Sequence, residues 1–541
     1  MIRRFVAFLF LFLLAAALWQ CARRGSPSGG PKDITPPQLI KTEPDSMSIN
    51  FKAKRIRLYF DEFIKLQDIQ NQLIVSPPLK YQPEIKPQGG ASKYLELKFK
   101  DTLREKTTYT INFGQSVQDN NEGNPSSFLT YVFSTGDYID SLKVSGVVKD
   151  AFKRKPDEFI SVMLYEIDTA YTDSTIFKRP PNYITNTLDS TVIFRLKNLK
   201  EGQYKLFALK DEAKNNMFDQ NVDKIAYMED TLTLPNDSTY LLTLFKEVPN
   251  YNMAVPSLAA KNRIQFGYFG DASDIEDIEI TPLTPLPDTV SAKILKQRDK
   301  DTLNYWFTPF EMDSIVFTVT NERAKVIDTF TVKSRKVGLD SLQLTANQNG
   351  SLNFNDPFYI QANTPLTALD TTKISMMDQD SLAVSFTTAL DTLINKVDIN
   401  FKVEPNQNYQ LDLLPGAITD FFGETNDTLV YNLSTQSYAD LGNLKFNIEA
   451  DSSAYPLIIE LIDEQGKLIR EIFAPEAKPL EFNNIEPAKY FIRVTFDKNA
   501  NQKWDTGDYL KKLQPEKVSY YPDTVEVRAN WELEQTFRIP D

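Results

Sequence analysis

The sequence contains no histidine and a single cysteine, Cys21, in 541 residues. Without histidine there is no Ser-His-Asp or Cys-His catalysis, no His-ligated zinc or haem, and no imidazole switch near neutral pH. One cysteine excludes an intramolecular disulfide, a Cys-ligated zinc or iron–sulfur site and a C-x-x-C redox pair. Glycine is scarce, 19 residues against an average share of about 7%. No G-x-G-x-x-G, G-x-x-x-x-G-K-[ST] or G-x-S-x-G pattern occurs, so nucleotide-binding and hydrolase-elbow chemistry lack their motifs. Lysine and arginine number 60 against 73 acidic residues, a net charge of -13. That balance argues against a nucleic-acid partner, because phosphate contacts need a basic face. Hydrophobic content of 41% and charged content of 25% are those of a folded globular chain. The length predicts about three to five domains.

What is present begins with an export signal. Arg3 and Arg4 precede an apolar run from Phe5 to Trp19, long enough for a signal h-region and short of the ~20 residues a membrane-spanning helix needs. The run ends in Leu18-Trp19-Gln20-Cys21, which resembles a bacterial lipobox, with leucine three positions before the cysteine. Residues 1–21 are therefore expected to be a lipoprotein signal peptide and Cys21 the lipidated residue. Cleavage after Ala17, leaving Cys21 a free thiol, is the alternative. Two or more acyl chains anchor a protein stably where one is marginal. Residues 22–35, rich in Gly, Pro and Ser, read as a flexible tether. Ala22 after the cysteine resembles an outer-membrane address, with the periplasmic or cell-surface face left open.

From residue 36 onward, short alternating runs dominate. Arg55-Ile56-Arg57-Leu58-Tyr59-Phe60, Tyr109-Thr110-Ile111-Asn112-Phe113 and Ser314-Ile315-Val316-Phe317-Thr318-Val319 are examples, bounded by Asp, Asn, Pro and Gly. Long amphipathic helical patterns are missing, so the expected fold class is all-β, with β-sandwiches in series behind a lipidated tether. An internal duplication places the boundaries. Thr108-Tyr109-Thr110-Ile111 through Ser134-Thr135 is echoed by Asn408-Tyr409-Gln410-Leu411 through Ser434-Thr435, 300 positions later at both ends. The opening segments Leu58–Ile64 and Leu352–Phe358 also look alike. A second echo follows each copy: Asn198-Leu199 to Tyr204 and Asp211 to Asp219 recur as Asn484-Ile485 to Tyr490 and Asp497 to Asp505, offset by 286. The expected domains are 36–137, 138–248, 249–345, 346–437 and 438–541, with the middle one of unassigned type.

The Pro36-Pro37 start, the strand Leu58-Tyr59-Phe60-Asp61-Glu62, the turn Val117 to Pro125 and the closing Tyr131-Val132-Phe133-Ser134-Thr135 resemble the SbsA-type bacterial Ig-like domain. A divergent second copy keeps Asp420-Phe421-Phe422-Gly423. Residues 140–247 and 438–541 are similar to transthyretin-like or carboxypeptidase-regulatory-like sandwiches. The whole, with Gly-Gly-Pro-Lys-Asp after the lipid cysteine, resembles exported Ig-like lipoproteins of the Bacteroidota.

The best ligand-like spacing is Asp497, Asn499, Asn501, Asp505 and Asp508, oxygen side chains at loop positions one, three, five, nine and twelve of a calcium-type loop. Gln502 replaces the glycine expected at position six, and Asp508 the usual glutamate. Two readings stand: a structural calcium site, or a turn held by Asx hydrogen bonds. The earlier loop at Asp211, Asn215 and Asp219 has Ala213 and Val222 at positions three and twelve and is expected to bind no metal. Acidic groups such as Asp378-Gln379-Asp380 and Asp271 to Glu279 read as solvated faces, and the aromatics Tyr305-Trp306-Phe307 and Tyr520-Tyr521 as core. No catalytic residue and no required cofactor is expected. The leading expectation is a non-enzymatic, outer-membrane-anchored scaffold or accessory subunit for another envelope protein, with a β-barrel as partner. The alternatives are a surface carbohydrate-binding lipoprotein for glycan capture and a carboxylate-based glycosidase.

Overall fold

The computed structural model describes residues 33–127, 129–187, 192–270 and 277–539. Cys21 and most of the tether lie outside the described residues, as do residues 271–276 of one acidic group. The described chain is all-β: the one α-helix is the four-residue turn Ile69–Gln72, and no helix is long and apolar enough to cross a membrane.

Five sandwiches follow one another. The first pairs Leu39–Glu43, Arg55–Leu66, Ser92–Lys98 and Glu84–Lys86 in that spatial order, facing a sheet of Ile74–Ser76, Thr108–Asn112 and Thr130–Ser134. Alternation sets what is inside: Ile56, Leu58 and Phe60 point to the core while Arg55, Arg57 and Tyr59 face outward. The ring of Phe133 lies 5.2 Å from Tyr109 and 4.0 Å from Phe51. The fourth sandwich repeats the plan with Leu344–Ala346, Phe358–Ala362, Lys396–Phe401 and Phe386–Asp391 in one sheet, and Gly350–Leu352, Leu429–Thr435, Asn408–Leu413 and Ile374–Met377 in the other.

The 300-residue echo has a physical basis. The buried Tyr109 hydroxyl accepts from the Arg104 amide at 2.9 Å, and Thr135 Oγ1 donates to the Arg104 carbonyl at 2.6 Å. In the later copy Tyr409 accepts from the Glu404 amide at 2.8 Å and Thr435 donates to its carbonyl at 2.6 Å. Each tyrosine ties its strand to the loop before it, a corner of the kind seen in Ig-like sandwiches. One sequence alignment shifts. The counterpart of Leu58–Phe60 is Phe358–Ile360 rather than Leu352–Phe354, because Phe358–Ala362 pairs with Lys396–Phe401 as Arg55–Leu66 pairs with Ser92–Lys98. Leu352 instead belongs to a short strand running parallel to Leu429–Thr435. A two-residue alternation can be slid along itself without losing its pattern, which is how the sequences mislead.

The second and fifth sandwiches share one topology. In the second, Tyr183–Asn186, Ser161–Glu166, Gly202–Lys210 and Lys224–Tyr227 lie side by side, opposite Ile193–Leu199, Leu142–Asp150 and Thr239–Leu244, the last pair parallel. In the fifth, Leu468–Ala474, Leu457–Ile462, Ala488–Phe496 and Val518–Tyr520 face Leu480–Ile485, Gly442–Glu449 and Glu532–Arg538, again with the last pair parallel. Asn198 and Asn484, both in the echo, have φ of 59° and 55°; asparagine tolerates this left-handed conformation better than most residues. Between the two repeats, Ile264, Phe266, Tyr305, Phe307 and Phe317 fill the core of a third sandwich.

Replacing Tyr109 with phenylalanine is expected to cost about 1 kcal/mol in the first sandwich, and Tyr409→Phe the same in the fourth. Amide exchange at Arg104 and Glu404 should then quicken about fivefold, each in its own variant. Unchanged exchange in both would show that the corner is not structural.

Candidate functional site

The Asp497 loop lies where the second and fifth sandwiches meet, and its atoms are engaged in folding and docking. Asp497 is fully buried and accepts from the amides of Asn501 at 3.1 Å and Gln502 at 2.8 Å. Asn499 and Asn501 donate their side-chain amides to Asp505 Oδ2 at 2.6 and 2.9 Å. Glu516, not singled out by the spacing, closes the loop by accepting from Lys498 at 2.8 Å and Asp505 at 3.1 Å. Burial pushes its carboxyl above the usual range, against those amides. Asp508 turns away to Lys511, 2.7 Å distant. Burial works against its charge, yet the Lys511 ammonium and amide together hold it below the carboxylate range.

Four of the five spaced residues therefore converge, and they converge on each other's hydrogen bonds. A calcium ion there would be held by Asp497 and Asp505, with the Asn499 and Asn501 amides rotated to present oxygen. Among the described residues no group of three or more His, Cys, Asp or Glu side chains is placed to hold a metal.

The earlier loop is built alike. Asp211 accepts from Asn215 and Asn216, and Asp223 accepts from Glu212 and Asp219. Lys214 and Asn216 share the left-handed backbone of Ala500 and Gln502, at the same offset of 286. Asp223 and Glu516, which play the same part, lie 293 positions apart, so the later loop carries seven extra residues. Those residues include Tyr509.

Tyr509 is 2% exposed and packs into the second sandwich, 5.3 Å from the ring of Phe207 and 5.1 Å from that of Tyr227. Around it Met163, Tyr165, Leu209, Ile225 and Phe245 form one apolar cluster on the outer face of the sheet whose inner face is the domain core. Gly507 makes the approach possible: a Cβ there would lie 2.6 Å from the Leu513 carbonyl and 2.7 Å from the Phe245 ring. Polar contacts frame the ring. The Tyr509 amide donates to Glu247, Thr506 Oγ1 donates to the Lys246 carbonyl at 2.6 Å, and Lys512 pairs with Asp173 at 2.9 Å.

A second contact reciprocates. Lys224 sits between Asp150 and Asp157, at 2.7 and 2.5 Å, and pins the loop carrying Phe152 and Arg154. The guanidinium of Arg493 lies 3.6 Å above the Phe152 ring, Tyr520 donates to the Phe152 carbonyl at 2.6 Å, and Arg154 covers the Phe491 ring at 3.9 Å. Arg493 is itself buried, paired through two nitrogens with Glu460, both bonds 2.5 Å. A buried pair of this geometry is costly to break, since the surviving charge is stranded.

Of the other sequence candidates, Asp378 bonds the amides of its own turn, Tyr305 and Phe307 are core, and Trp306 is buried with its ring 6.2 Å from Phe422 of the fourth sandwich. Tyr521 is core and Tyr520 interfacial. The docking surface was missed by spacing arguments but had a signal: Val162-Met163-Leu164-Tyr165 and Leu457 to Leu461 are largely apolar without alternating, as strands covered on both faces are.

Residues 33–135 match the family model described as a bacterial Ig-like domain. The first sandwich is a bacterial Ig-like domain. No curated protein matches the chain. Among solved structures, domains 1–6 of the surface layer protein SbsC align over 91% of this chain and 67% of that one, at 10% identity and a TM-score of 0.15. The Bacteroides ovatus mixed-linkage glucan utilization locus protein SGBP-B, in complex with a mixed-linkage heptasaccharide, aligns over 69% and 89%, at 9% identity and 0.19. The N-terminal four Ig domains of Dscam1 isoform 6.9 align over 73% and 100%, at 9% identity and 0.15.

Truncating Tyr509 to alanine should remove about 3 kcal/mol or more of docking energy, by analogy with other buried aromatics. Small-angle scattering of the Tyr509→Ala chain should then report a larger radius of gyration than wild type; an identical profile would mean that the ring does not hold the sandwiches together. The same contact should depend on pH. Burial raises the Glu247 carboxyl above its ordinary range, against the Tyr509 amide and Gln220. A raised acid stabilises the folded form below its unfolded value, and that contribution is lost as pH climbs through the raised one. Docking should therefore weaken as pH rises from below the ordinary glutamate range towards neutrality. Glu247→Gln, which keeps an acceptor for Tyr509, should flatten that dependence in scattering measured across the same interval.

Proposed function

We propose that this chain is a non-catalytic lipoprotein of the Bacteroidota type, held in the outer membrane through Cys21, and that it serves as a scaffold or accessory subunit for another envelope protein. A β-barrel is the partner this reading favours. The observation that carries it is that the most ligand-like group among the described residues, Asp497 to Asp508, closes on its own hydrogen bonds in a loop docked on the second sandwich through Thr506, rather than lining an open cleft. Serial β-sandwiches fixed to each other offer extended, preorganised surfaces and sheet edges for association. The bacterial Ig-like family at its head is consistent with a binding role rather than a chemical one. Calcium held by Asp497, Asn499, Asn501 and Asp505 would stiffen the loop that carries Tyr509, a structural part within the same reading.

A C-terminally tagged copy, extracted gently from native outer membranes, is expected to bring down a β-barrel protein in near-stoichiometric amount by mass spectrometry. Recovery of the tagged chain alone would overturn the stable-complex reading, and a mature chain recovered with an unacylated Cys21 by mass spectrometry would overturn the anchor.

A further inference from the structure

Between the third and fourth sandwiches lies a cleft of about 600 Å³. Its walls are held at fixed separation. Arg298 of the third sandwich donates to Tyr359 and Gln361 of the fourth across it, and Lys293 of the third donates to the Leu366 carbonyl of the fourth at 3.2 Å. Several lining carboxamides build the walls: Asn363 and Asn395 use both ends of their side chains on neighbouring backbone.

Others are left over. Asn304 is 6% exposed, lines the cleft, and its carbonyl oxygen has no hydrogen-bond partner. A buried carbonyl without a partner costs about 1 to 3 kcal/mol, so a group that supplies a donor is favoured there. Gln343 and Lys296 also line the cleft with no side-chain partner among the described residues, and Tyr359 still has a hydroxyl proton to give after accepting from Arg298. Arg263, Lys296 and Arg298 line the cleft of a chain whose net charge is -13. Asp340 pairs with Arg263 at 2.8 Å and Asp299 lies 3.6 Å from Arg298, which leaves Lys296 as the cation without an acidic partner among the described residues. The aromatic faces are occupied, Trp306 by Arg263 at 5.1 Å and Tyr359 by Arg298 at 5.1 Å. Stacking of a flat ring is therefore disfavoured, and recognition would proceed by hydrogen bonds and charge.

We propose that this cleft binds an acidic oligosaccharide, its hydroxyls meeting Asn304, Gln343 and Tyr359 and its carboxylates meeting Lys296 and Arg298. The unpartnered acceptor of Asn304, the free carboxamide of Gln343 and the Tyr359 hydroxyl suit a polyhydroxylated chain, and Lys296 with Arg298 suits uronic-acid carboxylates.

Isothermal titration of the whole chain with oligogalacturonate, and with neutral cello-oligosaccharide of equal length, tests this. Oligogalacturonate should bind and the neutral sugar should not. Asn304→Leu, of similar volume, and Lys296→Gln, at an exposed position, should each weaken binding about tenfold, the loss of one charge-assisted or buried hydrogen bond. Absence of oligogalacturonate binding at millimolar concentration, equal binding of the neutral sugar, or unchanged affinity in Lys296→Gln would overturn the proposal. None of these outcomes depends on which protein, if any, co-purifies with the chain.

Discussion

The two-sided burial of one sheet in the second sandwich and one in the fifth is the constraint on which the arrangement rests. An ordinary sandwich sheet buries one face and solvates the other, and its strands alternate accordingly. Here Val162 and Leu164 face the domain core while Met163 and Tyr165 face Tyr509 and its neighbours. Left uncovered, that outer face would be a contiguous apolar patch of the kind soluble proteins avoid. Covering it with a loop from the far end of the chain fixes the second and fifth sandwiches to each other. The third and fourth, joined by the Arg298 and Lys293 contacts, are carried between them.

The duplicated domains diverged in matching ways across this contact. Met163 pairs with Phe207 in one sheet; at the corresponding cross-strand place in the other, Glu460 pairs with Arg493. One copy presents an apolar surface to receive a ring, the other an ion pair whose guanidinium lies over a ring from its neighbour. The two Asx-bonded loops share their backbone, and the seven-residue extension in the later one supplies what the earlier lacks. Loop extensions are thermodynamically mild changes, since closure entropy grows slowly with length. An added segment that meets a preformed apolar face thus becomes an interface at small cost.

Much of the fold was legible in the sequence because strand alternation and turn chemistry are local. The all-β class and the 300- and 286-residue echoes followed from residues such as Tyr109, Tyr409, Asn198 and Asn484, whose hydrogen bonds and backbone angles the structure displays. The slip that matched Leu352 to Leu58 came from the same locality, because alternation alone does not fix register. The calcium-like spacing at Asp497 was visible, but its closure by Glu516 and its docking through Tyr509 were not. Glu516 lies nineteen residues beyond Asp497, and the face that Tyr509 fills is built from strands hundreds of positions earlier. Non-alternating strands announced that some face was covered, without saying by what.

The direct contact between the second and fifth sandwiches also sets how tension would run through the molecule. A pull applied at the N-terminal domain and resisted at the C-terminal one crosses from Phe152 to Arg493 and from Phe207 to Tyr509, bypassing the intervening two hundred residues. The third and fourth sandwiches form a side loop in that path. They can hold a guest in their cleft while the ends of the chain stay under strain.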